Sequence, residues 1–398
     1  MKQFIYLSIL SLLTGLQAFA QDTIVTMLTI KETVSISVEW TGSGSITANG
    51  VELENNFLSI NTVVTTNGLV GLKAMGDAQL TQLLCNGNEL TSLETSNCFD
   101  LAELHCSNNL LSTLEVANCP KLENLYCSNN SLTDLDITNC TELERLFCYY
   151  NSLSTLDVTN CPELTILKCE HNSLTAIDIT NCTELGRLFC DYNSLSTLDV
   201  TNCPELTVLG CSNNHLSALD VSNCSILAEL NCSNNSLTDL DITNCTELGR
   251  LFCHYNSLST LDVTNCTRLW SLVCSFNSLS DLDVTNCMEL GFLYCSDNSL
   301  SALDVTNCTK LREFYANYQT PILPTTVPKR TKLRIKNPIM FAGAEVKIEN
   351  ISHNGTYKAD NIVWNIKGKS GEVTFDFESS NGLFGEPFSG TATQPWTK

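Results

Sequence analysis

Charge is what this chain has least of. Only 16% of its 398 residues are Asp, Glu, Lys or Arg, and 21 bases face 43 acids, for a formal net charge of −22. So few bases exclude a nucleic-acid binder, which must neutralise phosphates in bulk. The hydrophobic fraction of 43% excludes an acidic disordered chain, which would lack material for a core. Beyond the first twenty residues no stretch approaches the about 18 consecutive apolar residues of a spanning helix, so no transmembrane segment is expected. The five histidines (His105, His171, His215, His254 and His353) are scattered, without a nucleophile partner. No enzyme activity and no cofactor are expected. Nor does any CxxC or Cys/His spacing suggest a zinc site.

The amino terminus carries a recognisable signal. Lys2 is followed by a largely apolar stretch, Phe4 to Leu16, and Ala18-Phe19-Ala20 places small residues before Gln21. Residues 1–20 therefore read as a secretory signal peptide, predicting export to the periplasm, the cell surface or the medium.

The 22 cysteines are the dominant feature. They begin Cys85, Cys98, Cys106, Cys119, Cys127, Cys140 and end at Cys295 and Cys308, with gaps alternating between 13 and 8 residues, and none lies outside this array. The period is 21 residues, and self-similarity at such a period means a solenoid. The unit L-x-x-L-x-C-x-x-N-x-L-x-x-L-D-V-T-N-C-x-x, exemplified by Leu122 to Glu142, occurs eleven times from Leu80; a twelfth from Leu311 decays, with Phe314, Ala316 and Gln319 at consensus positions. The segment Leu125-Tyr126-Cys127 alternates as a half-buried strand does. At a fixed spacing such strands stack parallel, about 4.8 Å apart. Asn130, Asn151 and their equivalents stand where the chain turns inward, and their amides can satisfy turn backbone groups. The following L-D-V-T-N-C arm suits an extended or 3₁₀ path.

This pattern resembles the leucine-rich repeat, L-x-x-L-x-L-x-x-N-x-L, with Cys at the sixth position. It is similar in particular to the 21-residue cysteine-ladder subtype of bacterial internalin-like surface proteins. The resemblance implies a right-handed, curved solenoid with a concave parallel β-sheet and an irregular or 3₁₀ convex side, its concave face binding a macromolecule. Around the repeats (80–319), residues 21–79 read as a β-rich N-terminal cap and 320–398 as a β-sandwich-like C-terminal cap or accessory domain. The tail holds ten bases and seven acids, whereas residues 21–319 hold ten bases and 36 acids.

Two rows need weighing against bland alternatives. In-register cysteines on parallel strands point alike rather than at each other, so small buried core residues are expected before disulfides, and metal ligands last. At position fifteen Asp136, Asp157, Asp178 and Asp199 belong to a carboxylate row. Each is expected to accept hydrogen bonds from the turn that follows; a calcium rail is the alternative, though calcium wants six to eight oxygens.

Function is expected on the outward strand positions. Position five offers Tyr126, Phe147, Phe189, Phe252, Tyr294 and Tyr315; position eight offers Tyr150, Tyr192, Tyr255, Phe276 and Tyr318, with Tyr149 and Phe292 adjoining. Position three adds Arg145, Arg187 and Arg250. In-register rings stabilise a sheet by stacking, and the three R-L-F-C-x-Y units are near copies; exposed aromatics with arginine are also what a binding surface prefers. The expected partner is a protein, with a glycan as the alternative and a structural spacer as the third reading. The chain is expected to act as a monomer.

Overall fold

A 21-residue turn is too small to enclose its own polar backbone, so each turn must borrow partners from the next. The computed structural model describes residues 23–322, apart from 57–58, 66–67, 76 and 96–97, together with the strands within 332–397. The expected signal segment lies outside the described residues. The chain divides into two compact units, Met1–Leu195 and Ser196–Lys398.

In the first unit, β1 (Thr23–Thr29), β2 (Thr33–Thr41), β3 (Ser45–Ala48), β4 (Val51–Glu52), β5 (Asn61–Val64) and β6 (Leu69–Met75) precede the repeats. The repeats contribute β7 (Gln79–Leu84), β8 (Leu90–Glu94), β9 (Glu103–His105), β10 (Asn124–Tyr126), β11 (Arg145–Phe147), β12 (Ile166–Lys168) and β13 (Arg187–Phe189). β9 to β13 pair parallel at a step of one repeat, as in Asn124↔Arg145, Leu125↔Leu146 and Tyr126↔Phe147. β7 pairs parallel with β9, and β2 pairs antiparallel with β7, so the outer edge of the first turn is covered rather than left open. Gly42 (φ +90°) turns the chain after β2, where an added Cβ would lie 2.3 Å from the Asp77 carbonyl oxygen.

The strand sits one residue earlier than its L-x-C alternation suggests: it covers positions three to five, and the cysteine follows it. The ladder still continues through that cysteine, because the Cys106 amide donates to the Tyr126 carbonyl at 2.8 Å. Position four is buried, with its neighbours partly exposed, which is the period-two pattern the leucine requires.

The buried asparagine then closes each turn. Asn193 accepts the Leu174 amide at 3.0 Å and donates to the Cys169, Cys190 and Asp191 carbonyls at 3.0, 3.1 and 3.3 Å. The first of the row, Asn88, bonds instead to the backbone of Ser35 in β2, tying the repeats to the leading strands.

In the second unit the same geometry builds β14 (Val208–Gly210), β15 (Glu229–Asn231), β16 (Arg250–Phe252), β17 (Ser271–Val273), β18 (Phe292–Tyr294), β19 (Ala302–Leu303) and β20 (Glu313–Tyr315). The decayed twelfth repeat keeps the essential contacts. Gln319 accepts the Leu300 amide at 3.0 Å and donates to the Cys295 carbonyl at 2.9 Å, as an asparagine would. Residues 370–378 pair antiparallel with 389–397, and Thr391 and Thr393 donate to the carbonyls of Gln319 and Pro321.

The return arm forms no helix and no 3₁₀ segment among the described residues. It makes single turns, such as Cys140 N–H to Ile137 O at 2.9 Å. All 22 cysteines are buried and unbridged. The turn row does more than fill space: the Cys140 and Cys182 thiols donate to the Val116 and Val158 carbonyls of the preceding turn, with Sγ···O distances of 3.5 and 3.7 Å. Burial pushes the Cys85, Cys232 and Cys274 thiols up to about 12, so thiolate is scarce in the folded state.

Asn193→Ala removes the side-chain partner of four backbone groups, of which the Asp191 carbonyl keeps the His171 amide, and unfolding titrations should find a loss of about 3 kcal/mol. Thiol labelling at pH 8 should leave the native chain essentially unmodified; in denaturant without reductant, all 22 cysteines should react. Substantial loss of thiols in the denatured sample would overturn the packing role.

Candidate binding surface

On each strand the residues at positions three and five face away from the core and so form one lateral surface, the strand face. In the first unit, row five reads His105, Tyr126, Phe147, Lys168, Phe189. His105 stacks on Tyr126 with centroids 4.1 Å apart, and Tyr126 meets Phe147 edge-on at 4.8 Å. Lys168 Nζ lies 5.1 Å from the Phe147 centroid and 4.8 Å from that of Phe189, a cation held by two rings. In row three, Arg145 reaches the Asn124 amide oxygen at 3.4 Å, and Arg187 is exposed.

Row eight is a continuous stack. Tyr150, His171 and Tyr192 lie nearly parallel, with centroid separations of 4.1 and 4.3 Å. Tyr150 and Tyr192 are nevertheless 50% and 51% exposed, because the stack covers ring faces and leaves ring edges to solvent. The backbone here is left-handed: φ is +52° at Tyr150, +52° at His171 and +53° at Tyr192. Other turns place Gly87, Asn108 and Asn129 at this point, residues that tolerate the conformation.

Row seven, between them, is usually serine, as in Ser107 and Ser128. In three consecutive turns it becomes Tyr149, Glu170 and Asp191. Tyr149 contacts Tyr150 edge-on at 5.9 Å. Glu170 Oε2 is buried with no hydrogen-bond partner. Burial pushes its carboxyl up to about 7; Asp191 acts in the same direction, while its own backbone amide and Lys168 oppose.

The second unit begins with two turns without aromatics on the strand face, then gathers a second cluster. Arg250 pairs with Glu229 at 3.1 Å and lies 4.6 Å from the Trp270 ring, which meets Phe292 at 5.8 Å. A Cβ at Gly249 would come within 3.3 Å of the indole, so the glycine leaves that ring its seat. Phe252 is half-buried in row five. Tyr255 and Phe276 stack at 4.2 Å, both with left-handed φ. Tyr294 and Tyr315 meet at 4.9 Å, and the Tyr294 hydroxyl donates to Glu313. Tyr318 is 66% exposed at φ +58°, with no ring partner among the described residues.

The predicted residues thus fall into two sets: Tyr126, Arg145, Phe147, Tyr149, Tyr150, Arg187, Phe189 and Tyr192 in one unit, and Arg250 through Tyr318 in the other. The sequence reading missed Lys168, Glu170, His171 and Trp270. Departure from serine at position seven in successive units was a readable sign of the first cluster. Trp270 escaped because it occupies position two, outside the strand positions considered.

The acid row serves the return arm. Asp136, Asp157 and Asp199 each accept the amide and hydroxyl of the Thr two residues on; for Asp157 these lie at 3.0 and 2.6 Å. Asp178 makes the same bonds to Thr180. The threonine hydroxyls hold the Asp136, Asp157 and Asp199 carboxyls below their ordinary range. Among the described residues no group of three or more His, Cys, Asp or Glu is arranged to hold a metal.

Comparison with known proteins agrees with this architecture. The family described as LRR adjacent matches residues 343–397. The internalin InlF of Listeria monocytogenes is similar over 60% of this chain and 75% of its own, at 23% identity and TM-score 0.56. The functional domain of InlJ from the same organism, which includes a cysteine ladder, aligns over 80% of this chain and 90% of its own, at 27% identity and TM-score 0.41. The chain has the leucine-rich-repeat fold. The plant peptide hormone receptor RGFR1, solved in complex with RGF2, shares the fold over 63% of this chain and 45% of its own, at 23% identity and TM-score 0.54. No curated protein sequence matches the chain.

In this leucine-rich-repeat chain Glu170 holds its proton more tightly folded than unfolded. Its share of stability is therefore present at low pH and lost as pH rises from about 4.5 towards 7. Glu170→Gln should flatten that decline in urea titrations between pH 5 and 8, and carboxyl NMR should place the Glu170 midpoint near 7.

Proposed function

We propose that this is an exported, non-enzymatic recognition protein that binds a protein partner through its strand face. Residues 1–20 support export by their signal-like composition, and the fold is one that receptors such as RGFR1 use.

The observation that carries the binding role is the row of exposed aromatics in left-handed backbone. A non-glycine residue there costs about 1–2 kcal/mol, least for Asn. Stacking returns about 0.5–1.5 kcal/mol per pair. For Tyr150, His171 and Tyr192 two stacks return about 1–3 kcal/mol against about 3–6 kcal/mol of strain, so stacking offsets only part of the cost. Tyr318 has the strain and no stacking partner among the described residues. Sheet stability alone does not account for these side chains, which weakens the structural-spacer reading.

The ring geometry favours a protein over a glycan. A sugar packs its C–H face on an open aromatic face, and here neighbouring rings, Lys168 or Arg250 cover many of those faces. Ring edges and hydroxyls, with arginine beside them, suit an interface core.

Restoring asparagine at these places separates binding from folding. The combined variant Tyr150→Asn, Tyr192→Asn, Tyr255→Asn and Phe276→Asn should unfold within about 2 kcal/mol of the parent. It should fail to recover the protein that the parent captures from host or envelope extracts and that cross-links to the parent strand face. Undiminished capture by the variant rules out the strand face, and strong glycan-array signals without a protein ligand would favour the glycan.

A further inference from the structure

Residues 21–319 contain ten bases among 36 acids, and five of those bases form ion pairs: Lys31, Lys121, Arg250, Arg268 and Lys310. With so many carboxylates available, an unpaired base needs a reason. Three of the remaining five, Arg145, Lys168 and Arg187, share one patch of the first unit's strand face. None of the three has an ion-pair partner among the described residues. Arg145 and Arg187 flank Ile166 in row three, two strand steps or about 9.5 Å apart. Lys168 stands between them in row five, its ammonium fixed by Phe147 and Phe189.

We propose that Arg145, Lys168 and Arg187 receive carboxylate side chains from an acidic segment of the partner protein, an inference that rests on the protein-partner reading above. Charge complementarity carries it. An acidic segment meets repulsion from a region of net charge −26 unless it docks where the unpaired bases lie, so like-charge repulsion fixes the register. Two planar guanidiniums on either side of a fixed ammonium offer forked donors to carboxylates. Phe147, Phe189 and Tyr149 supply apolar surface beside them.

Glu170 gives the site a distinctive readout. Its carboxyl faces Lys168 on its own turn and Asp191 on the next, with the Cys148 and Cys169 thiols beside it. Ionised, it opposes an anionic occupant; protonated, it does not. Acidic segments should therefore bind more tightly as pH falls from 8 to 6, and His171→Gln removes any share of the imidazole in that trend.

The test uses the purified chain against a displayed library of random 12-residue peptides, followed by fluorescence anisotropy on a selected peptide. Selected sequences should be enriched in Asp and Glu. Arg145→Gln and Arg187→Gln, at exposed positions, should each weaken binding about tenfold without changing the unfolding midpoint. Glu170→Gln should bind at pH 8 as tightly as the parent does at pH 6. Selection of neutral or basic peptides, or equal binding by both arginine variants, overturns the acidic occupant and leaves the protein-partner reading standing. If no peptide is selected, with or without binding of a sulfated glycan, the protein-partner reading fails and the acidic occupant with it.

Discussion

The buried asparagine row is the constraint on which the rest depends. Each 21-residue turn must bend its backbone inward at a point where water cannot reach the carbonyls. One carboxamide meets that demand with an acceptor and two donors, bridging its own turn and the preceding one. The chemistry is strict about groups and lenient about length. Gln319 does the same work at the last turn, with its amide reaching Cys295 and its oxygen accepting Leu300. In the first unit, Asn88 turns the same group towards β2, so the row that builds the repeats also fastens the segment covering their edge.

Fixing the asparagine fixes the residue before it in left-handed backbone, and this is where architecture and recognition meet. Half of the turns give that place to Gly, Asn or Asp. Where Tyr, His or Phe stand there, the turn lifts their rings to the edge of the strand face and sets them in register, so that stacking between turns recovers part of the strain. The scaffold thereby offers a defined row of positions, one per turn, where a ring can be displayed without disturbing the leucines beneath.

What could be read from the sequence follows from the same physics. Period, parallel strands, inward asparagine and buried thiols were legible because the repeat averages over eleven copies, and each copy states the same packing demand. The Asp caps were legible for that reason too. What the average hid were single departures from it. Glu170 matters because it stands where Ser is usual; Lys168 matters because Phe147 and Phe189 happen to flank it on adjacent strands; Trp270 depends on Gly249 one turn away. The strand's own limits were misplaced by one residue, since Cys shares the alternation of the strand but lies past it. The thiol's second role, donating to a carbonyl of the preceding turn, needed three-dimensional register that spacing alone does not supply.

The distribution of charge turns these local facts into a functional argument. Along the return arm, Asp136, Asp157 and Asp199 are held ionised by the hydroxyl and amide of their own turns, so that acid row belongs to folding and asks nothing of a partner. On the strand face the bases of the first cluster form no ion pair among the described residues, although carboxylates are abundant. Lys168 is held by rings instead, and Glu170, which faces it on the same turn, is half-neutralised by burial near pH 7. A cation partnered by aromatic faces keeps its charge available, whereas one in a salt bridge has spent it. Phe147 and Phe189 on the neighbouring turns therefore preserve the positive charge of Lys168. An interface built this way can select an acidic segment while the remainder of the molecule repels it.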